Sequence, residues 1–232
     1  MNQQNLRQLH FTPDIVKQGL LGEYRFDEQG GAYLRDYSGN ENHGILGNSL
    51  APNSNWPIRI ANGYFFDFDD LVELPANIRN ALSISKEYTI QIVGLVNNFK
   101  TTSTFFANTI SSSDRMGIGN LTTGIIRYGH YADGNYKTPM GAGINVSQYC
   151  HISAGFKNTS ELLFNNSLAT IINVATSSTI VGCRFGLRTN NDLGLIGVIS
   201  FALIYSRKLN YFEQQQNYQA IKNIMKKRGI HL

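Results

Sequence analysis

Hydrophobic and polar residues alternate in short segments along most of the chain, and turn-forming residues separate these segments. Near the start, Tyr24 and Phe26 alternate with charged residues, which is the period-two pattern of a half-buried strand. The pattern predicts an all-β domain built from many short strands. Further candidate strands follow at short intervals; they occupy 63–68, 71–75, 88–96, 104–107, 116–119, 124–131, 151–156, 161–164, 167–171, 180–187 and 197–205.

Two of these regions predict more than a strand. The segment 88–96 is rich in β-branched residues and almost continuously apolar, as expected for a central strand of a sandwich. The segments 161–164 and 167–171 are separated by Asn165 and Asn166, two residues that tolerate positive φ. This arrangement is typical of a hairpin with a type I′ turn.

The hydrophobic period changes at the end of the chain. Asn210 precedes a helical pattern and Glu213 follows three positions later, which indicates a capping box. We expect an amphipathic helix from about 211 to 228 that packs beside the sandwich and stops at Gly229. Its apolar side would contain Phe212, Ile221, Ile224 and Met225.

The sequence shows neither an internal repeat nor an interdomain linker, so we predict one domain with two additions. Residues 1–18 are rich in Gln and Asn and lack periodicity, and we assign them to an N-terminal extension that could serve as an assembly arm. The domain itself would span 19–209. Residues 210–232 would form the helix packed on it.

The composition agrees with a globular β protein. Hydrophobic residues make up 42% of the chain, and 13 Phe, 12 Tyr and 22 Gly suit packed sheets joined by tight turns. No apolar run approaches the roughly 18–20 residues that a membrane span needs, so we predict no membrane insertion. The first residues contain no apolar stretch and predict no secretory signal. Cys150 and Cys183 are expected to be buried, reduced thiols, because two cysteines are too few for a disulfide framework or a zinc site.

The net charge of +4 comes from one part of the sequence. The 20 Lys and Arg exceed the 16 Asp and Glu by four. Four basic residues lie in the final helix; they are Lys222, Lys226, Lys227 and Arg228. Cations favour a helix C-terminus, whereas a nucleic-acid-binding protein would carry its charge as a broad face. We therefore predict a solvated helix end and no nucleic-acid partner, with an acidic partner surface as the alternative.

The order of several motifs resembles that of a known family. The segments 26–28 (Phe-Asp-Glu) and 36–44 (Asp-Tyr-Ser-Gly-Asn-Glu-Asn-His-Gly) are similar to the opening of laminin-G-like domains in the concanavalin A-like lectin/glucanase superfamily. The resemblance extends over 20–210 and implies an antiparallel two-sheet jelly-roll sandwich, a fold that binds more often than it catalyses. Further similar segments follow in the family's order; they are 66–75, 88–91, 163–166 and 197–209.

The chain departs from this family where a metal or catalytic site would lie. Ser200 and Phe201 replace the family's paired acids, and a calcium ion prefers carboxylates. Asp36 and Asn40 could still bind a cation, but a turn-forming role explains them equally well. From these departures we predict no metal, no cofactor, no catalytic residues and no enzymatic activity. The acids nearest to the family's glycosidase pattern lack its initial glutamate; they are Asp67, Asp69, Asp70 and Glu73.

Candidate glycan-binding residues are predicted in two regions. A sugar site needs an aromatic face and fixed hydrogen-bonding groups. The segment 128–136 contains both near a turn, and its alternative is a hairpin tip whose tyrosines pack across strands. Trp56 lies in a loop and is the second candidate, with a core anchor beneath that loop as its alternative. The candidates in the first region are Tyr131, Asp133, Asn135 and Tyr136.

Together these observations predict a non-enzymatic structural or adhesive protein of a virus particle, of the capsid-decoration, head-fibre or tail-fibre type in a bacteriophage. Its partners would be other virion proteins or copies of itself, together with host surface polysaccharide. It would be assembled in the host cytoplasm and located in the virion, because the fold mostly works outside cells while the sequence shows no export signal. The alternatives are a secreted or cell-surface carbohydrate-binding module and, despite the missing acids, a glycosidase of the same superfamily.

Overall fold

The structure is a computed structural model, and it describes residues 13–98, 103–109, 115–120, 122–132, 135–137, 140–157, 159–165, 167–173, 182–187 and 194–232. These residues form 17 strands and two helices. In chain order the elements are β1 (Leu20–Tyr24), β2 (Tyr33–Leu34), β3 (Gly44–Leu46), β4 (Ile58–Ile60), β5 (Gly63–Asp67), β6 (Val72–Glu73), α1 (Ala76–Ser85), β7 (Tyr88–Val96), β8 (Ser103–Thr109), β9 (Arg115–Asn120), β10 (Ile125–Ala132), β11 (Asn135–Lys137), β12 (Met140–Gly143), β13 (Cys150–Lys157), β14 (Thr159–Phe164), β15 (Ser167–Asn173), β16 (Gly182–Phe185), β17 (Ile196–Tyr205) and α2 (Tyr211–Lys227).

The strands form two antiparallel sheets. In the first sheet the described strands lie in the order β15-β14-β13-β7-β17-β5-β4, and β1 also pairs with β17. In the second sheet the order is β11-β10-β9-β8-β16-β6-β3-β2, and β12 also pairs with β10. The predicted all-β, two-sheet sandwich with a C-terminal helix is therefore confirmed.

Aromatic side chains fill the space between the two sheets. The ring of Phe185 in β16 packs edge-to-face against three others, with centroid distances of 5.6 Å to Tyr24, 5.5 Å to Phe26 and 5.5 Å to Phe106. Each such pair contributes about 0.5–1.5 kcal/mol beyond the burial of its area. These contacts anchor β1 and the turn that follows it to the second sheet.

The central strands β7 and β17 are buried on both faces. Ile90 and Ile92 belong to the core between the sheets, whereas Val93 and Phe201 belong to a second apolar cluster beneath α2. A strand with no solvent-facing side has no reason to alternate with polar residues. The nearly continuous apolar pattern of 88–96 therefore predicted a central strand correctly.

Helix α2 begins with the predicted capping box. The side chain of Asn210 accepts a hydrogen bond from the backbone N–H of Glu213 (3.0 Å), and the carboxylate of Glu213 accepts one from the backbone N–H of Asn210 (2.9 Å). These two bonds satisfy donors that the first helical turn leaves free. The helix start at Tyr211 is thus fixed locally, as the sequence predicted.

The buried side of α2 is more polar than predicted. Ile221 and Met225 pack on the first sheet as expected. The assignment of Phe212 to this side was wrong, because its side chain is 81% exposed while Gln214 and Asn217 are buried against the sheet. A hydrophobic pattern could not reveal a helix face that is built partly from amides.

The last residues of the predicted N-terminal extension contact α2. Ile15 is buried in the cluster beneath the helix. The backbone N–H of Val16 donates to the amide oxygen of Asn217 (2.8 Å), and the hydroxyl of Tyr205 donates to the carbonyl of Val16 (2.9 Å). Residues 1–12 of the extension lie outside the described residues.

Helix α1 was not predicted. Its buried residues are Ile78 and Leu82, one turn apart, so its apolar pattern covers only two positions and gives little periodic signal.

Within the described part of the chain, neither helix has the length and apolar character required to cross a membrane.

Two local predictions concern a turn and the thiols. The predicted hairpin exists, because β14 pairs with β15 and Asn165 adopts a φ of 43°; Asn166 lies outside the described residues.

Cys150 and Cys183 are both free and buried, as predicted. Burial raises the pKa of Cys150 to about 12, so this thiol stays protonated and unreactive at neutral pH.

Candidate functional site

The carboxylate of Asp36 organises the turn that follows β2. It accepts hydrogen bonds from the backbone N–H groups of Glu23 (2.9 Å), Ser38 (2.8 Å) and Asn42 (3.0 Å), and from the Ser38 hydroxyl (2.8 Å). The side chain of Asn40 donates to the carbonyl of Leu20 (2.8 Å). Both residues therefore have turn-forming roles that tie 36–42 to β1.

This anchoring holds the segment 33–37 extended and fixes which side chains face solvent. Leu34 and Asp36 are buried, whereas Tyr33, Arg35 and Tyr37 are exposed. Side chains two residues apart on an extended chain share one face, at a spacing of about 6.8 Å. The result is an exposed row in which an arginine lies between two tyrosines.

The row forms one wall of a cleft with a cavity volume of about 360 Å³. The loop 28–31 forms the opposite wall. Phe26 directs the chain into this loop with a φ of 53°, a left-handed conformation that bulky residues rarely adopt. We call this site the Tyr33–Tyr37 cleft; it is lined by Glu28, Gln29, Gly30, Gly31, Tyr33, Arg35 and Tyr37.

Glu28 holds the two walls together. One carboxylate oxygen accepts a hydrogen bond from the backbone N–H of Arg35 (2.8 Å), and the other accepts one from the hydroxyl of Tyr64 (2.9 Å). Burial and the negative charge of Glu28 raise the pKa of Tyr64, so that this hydroxyl remains a donor. Arg59 donates to the carbonyl of Gly31 and supports the loop from its other side.

A stacked arginine positions Tyr37. The guanidinium carbon of Arg25 lies 4.4 Å from the centroid of the Tyr37 ring, within range of a cation–π contact. Arg25 in turn donates two hydrogen bonds, of 3.0 and 2.8 Å, to one carboxylate oxygen of the buried Glu23. One face of the Tyr37 ring is therefore covered by a fixed cation.

The arrangement suits recognition of a molecule that has both apolar and polar surfaces. Tyr33 and Tyr37 are 45% and 37% exposed, so their rings are accessible to a ligand. Glu28, Gln29 and Arg35 place a carboxylate, an amide and a guanidinium around the same cavity. A concave site with aromatic walls and a few fixed polar groups is the usual form of a small-ligand site.

The four site residues predicted in 128–136 are Tyr131 in β10, Asn135 and Tyr136 in β11, and Asp133. Strands β10 and β11 pair as a hairpin in which Tyr131 is opposite Tyr136 and Asn135 is opposite Ala132. Asp133 lies outside the described residues, as do the side chains of Tyr131, Asn135 and Tyr136. Their role in glycan binding stays a prediction.

Trp56 is half-buried and packs against the core between the sheets. Its ring lies 6.0 Å from the guanidinium carbon of Arg59. Added side-chain volume at Gly47 would collide with this ring, since a Cβ there would lie 2.4 Å from it. The packing favours the core-anchor interpretation over that of an exposed sugar platform.

Three of the acids that came nearest to a glycosidase pattern have protein partners. Asp70 is buried and accepts a hydrogen bond from the backbone N–H of Asp67 (2.7 Å), and burial raises its pKa to about 6. Glu73 forms an ion pair with Arg184, and the carboxylate of Asp69 accepts a hydrogen bond from a side-chain amide. Among the residues that the structure describes, no three His, Cys, Asp or Glu side chains are grouped to hold a metal ion.

The row of Tyr33, Arg35 and Tyr37 was not predicted from the sequence. Its signal was present, because these residues alternate with Leu34 and Asp36 in the same way as residues of a strand. What could not be predicted was the opposite wall, since the Glu28–Tyr64 hydrogen bond joins positions 36 residues apart.

Solved structures of several proteins share this fold at low sequence identity. A sialidase from Trypanosoma rangeli, in complex with 2,3-difluorosialic acid, aligns over 90% of this chain and 34% of its own, with 14% identity and a TM-score of 0.71. Domain 4 of a GH43 extracellular arabinanase from Geobacillus stearothermophilus, in complex with arabinotriose, aligns over 87% of this chain and 98% of its own, with 15% identity and a TM-score of 0.65. The binding domain of Paraclostridial Mosquitocidal Protein 1 aligns over 89% and 53%, with 12% identity and a TM-score of 0.64.

At these identities the similarities establish the fold alone, and the chain spans about a third of the sialidase. No protein-family model and no curated protein matches the sequence. The neighbours agree with the predicted two-sheet sandwich, and membership of the concanavalin A-like superfamily stays a prediction. The narrower laminin-G-like assignment and the phage origin stay predictions.

The neighbours correct one prediction. Enzymatic activity was not expected, because the family's acids are missing and the fold mostly binds, and this prediction was wrong. The same fold forms part of a sialidase and one domain of an arabinanase. Membership of this fold therefore does not separate binding proteins from glycoside-acting enzymes.

Proposed function

We propose that the protein binds carbohydrate through the Tyr33–Tyr37 cleft. The observation that carries the proposal is the exposed row of Tyr33, Arg35 and Tyr37, held rigid by the buried carboxylate of Asp36. Two accessible tyrosine rings can pack against the C–H faces of a sugar. The guanidinium and the neighbouring amide and carboxylate can bind its hydroxyl groups.

The fold neighbours support the carbohydrate part of this proposal. The sialidase structure holds a sialic acid derivative and the arabinanase domain holds arabinotriose. The second of these matches is almost complete for the domain, because it covers 98% of that chain. A sandwich of this kind can thus present a saccharide site.

The adhesive role in a virus particle, with virion proteins or copies of itself as partners, is the narrower form of the proposal. A glycan-binding cleft would let such a particle attach to host surface polysaccharide, and it would equally serve a secreted module. Mass spectrometry of purified particles and of cell-free culture medium separates the two locations. Detection in particles supports the virion form, whereas detection in the medium alone would contradict it.

The binding proposal is tested by screening the purified protein on a glycan array and measuring dissociation constants for the positive glycans by calorimetry. We expect Tyr33→Ala to weaken binding by about tenfold or more, because it removes one aromatic wall. Phe212→Ala is the matched control, since Phe212 is an exposed aromatic residue that does not line the cleft. Equal binding by wild type and Tyr33→Ala, or no binding to any glycan, would reject the proposal.

A further inference from the structure

We infer that the cleft selects saccharides that carry a carboxylate and that Arg35 makes this selection. The inference rests on the proposed glycan-binding function and adds the chemical class of its ligand. Three observations on the described residues support it. Arg35 lines the cleft, its guanidinium has no partner among these residues, and the neighbouring carboxylate of Glu28 already accepts hydrogen bonds from protein donors.

Arg35 has no counter-ion among the residues that the structure describes. Its side chain is exposed and lines the cleft. Within the part of the chain that the structure describes, its guanidinium makes no hydrogen bond or ion pair; the one bond formed by this residue's donors comes from its backbone N–H, to Glu28 (2.8 Å). All the N–H donors of this guanidinium are therefore available to a ligand.

The acids near Arg35 already have partners. Both carboxylate oxygens of Glu28 accept hydrogen bonds, from the Arg35 backbone and from Tyr64. Glu23 is buried and is paired with Arg25 and Lys17, at 2.8 and 3.3 Å. These acids are held in place by protein donors and are not directed at the Arg35 side chain. The remaining nearby acid, Asp27, is exposed, and its carboxylate lies 3.5 Å from the hydroxyl of Tyr37.

The geometry favours a carboxylate over a neutral hydroxyl group. A guanidinium presents a planar pair of donors that matches the two oxygens of a carboxylate, and such charge-assisted pairs are about twice as strong as neutral hydrogen bonds. Tyr33 and Tyr37 lie about 6.8 Å along the strand on either side of Arg35. A sugar acid can thus place its carboxylate on Arg35 while its ring, or that of the next sugar, packs on a tyrosine.

The test compares each sugar acid with its uncharged methyl ester, which differs only at the carboxylate. Galacturonic, glucuronic and N-acetylneuraminic acids, their methyl esters and galactose 6-sulfate are titrated into the labelled protein, and dissociation constants are measured by NMR. The wild type, Arg35→Gln, Arg35→Lys, Tyr33→Ala and the Phe212→Ala control are compared. Circular dichroism verifies that each variant is folded.

We expect at least one acid to bind about tenfold more tightly than its ester to the wild type, the usual effect of one charged hydrogen bond. Arg35→Gln should abolish this preference, so that each acid and its ester bind the variant with dissociation constants within about twofold of one another. Arg35→Lys should retain part of it, because the charge remains without the planar fork. Tyr33→Ala should weaken acid and ester alike, and the Phe212→Ala control should match the wild type.

Each contrary result has a distinct meaning. If esters bind as well as their acids, the inference fails while glycan binding stands. If the sulfate binds as tightly as the best acid and also requires Arg35, the site recognises anions in general and selection of carboxylates is rejected. If no sugar in the panel or on the array binds, the proposed function itself is rejected together with the inference.

Discussion

The region under helix α2 and the Tyr33–Tyr37 cleft use similar residue types, and they differ in what covers them. Beneath α2 the side-chain amides and tyrosine are buried and bond to one another. In the cleft, tyrosine and arginine side chains are exposed. We call the first region the buried network; it consists of Gln91, Ser153, Tyr205, Gln214 and Asn217.

The buried network uses its hydrogen-bonding capacity internally. The amide of Asn217 donates to the side chains of Gln91 (2.7 Å) and Tyr205 (2.8 Å), and the hydroxyl of Ser153 donates to Gln214 (2.6 Å). Polar groups removed from water must be paired in this way. Residue type alone therefore does not mark a binding site, because the same groups stabilise the fold when a helix covers them.

The largest effect on stability is expected from Asn217→Ala. This change removes the partners of the buried amide oxygen of Gln91 and of the half-buried backbone N–H of Val16, which should lower the free energy of unfolding by about 3 kcal/mol. Urea denaturation measures the loss. The folded variant should bind glycans with unchanged affinity, and a loss below about 0.5 kcal/mol would show that the network is not stabilising.

A second test uses pH, because His151 is buried beside the network with its ring 5.2 Å from that of Tyr218. Burial lowers the pKa of His151 from 6.5 to about 3. The unfolded state then binds more protons than the folded state below pH 6.5, so stability falls as the pH decreases. We expect a loss on the order of 2–3 kcal/mol between pH 6.5 and 4 from this residue.

The control for this pH effect is His151→Leu, which removes the titrating group while keeping an apolar side chain under the helix. Urea denaturation at several pH values should show a smaller decrease for the variant than for the wild type. Parallel pH profiles for the two proteins would mean that His151 is solvated in the folded state, contrary to its observed burial.

Asp36→Ala is expected to affect both stability and binding, because Asp36 is buried and also supports the exposed row 33–37. The change removes the acceptor of four hydrogen bonds, including those from Glu23 and Asn42. We expect a loss of about 2 kcal/mol in unfolding free energy and weaker glycan binding, because the row 33–37 loses its support. Calorimetry at a temperature where the variant is folded measures the affinity, and unchanged affinity would contradict the positioning role.

The smallest effect on glycan binding is expected from Arg25→Met, which keeps a long side chain but removes the cation on Tyr37. Restraining one side chain is worth about 0.5–1.5 kcal/mol, so we expect glycan binding to weaken by about three- to fivefold. Arg59→Met is a comparison variant on the other wall, where it removes the bond to Gly31. If Arg25→Met weakens glycan binding as much as Tyr33→Ala does, Arg25 contacts the ligand directly and its role is not limited to positioning Tyr37.

The sequence predicted those parts of the fold that depend on local pattern. The continuous apolar run 88–96, the capping box at Asn210 and Glu213, and the Asn165 turn all appear as expected. Each is decided by residues within a few positions of one another. Helix α1 and the exposed Phe212 were missed, because only the three-dimensional packing determines which sides of these helices are covered.

The candidate site was only partly predictable. The turn around Asp36 and its short polar residues were evident in the sequence, and so was the alternation of Tyr33, Arg35 and Tyr37. The second wall was not, because it depends on Glu28 meeting Tyr64 across the sandwich edge. A row of exposed residues becomes a cleft only through such distant contacts.

The most direct test of glycan binding at the Tyr33–Tyr37 cleft is NMR chemical-shift mapping of the labelled protein with the glycan that binds most tightly. We predict that the largest backbone amide shifts fall in 28–37 and that Tyr33→Ala removes them. Shifts concentrated in 128–136, with 28–37 unchanged, would contradict the account and place the site on the β10–β11 hairpin.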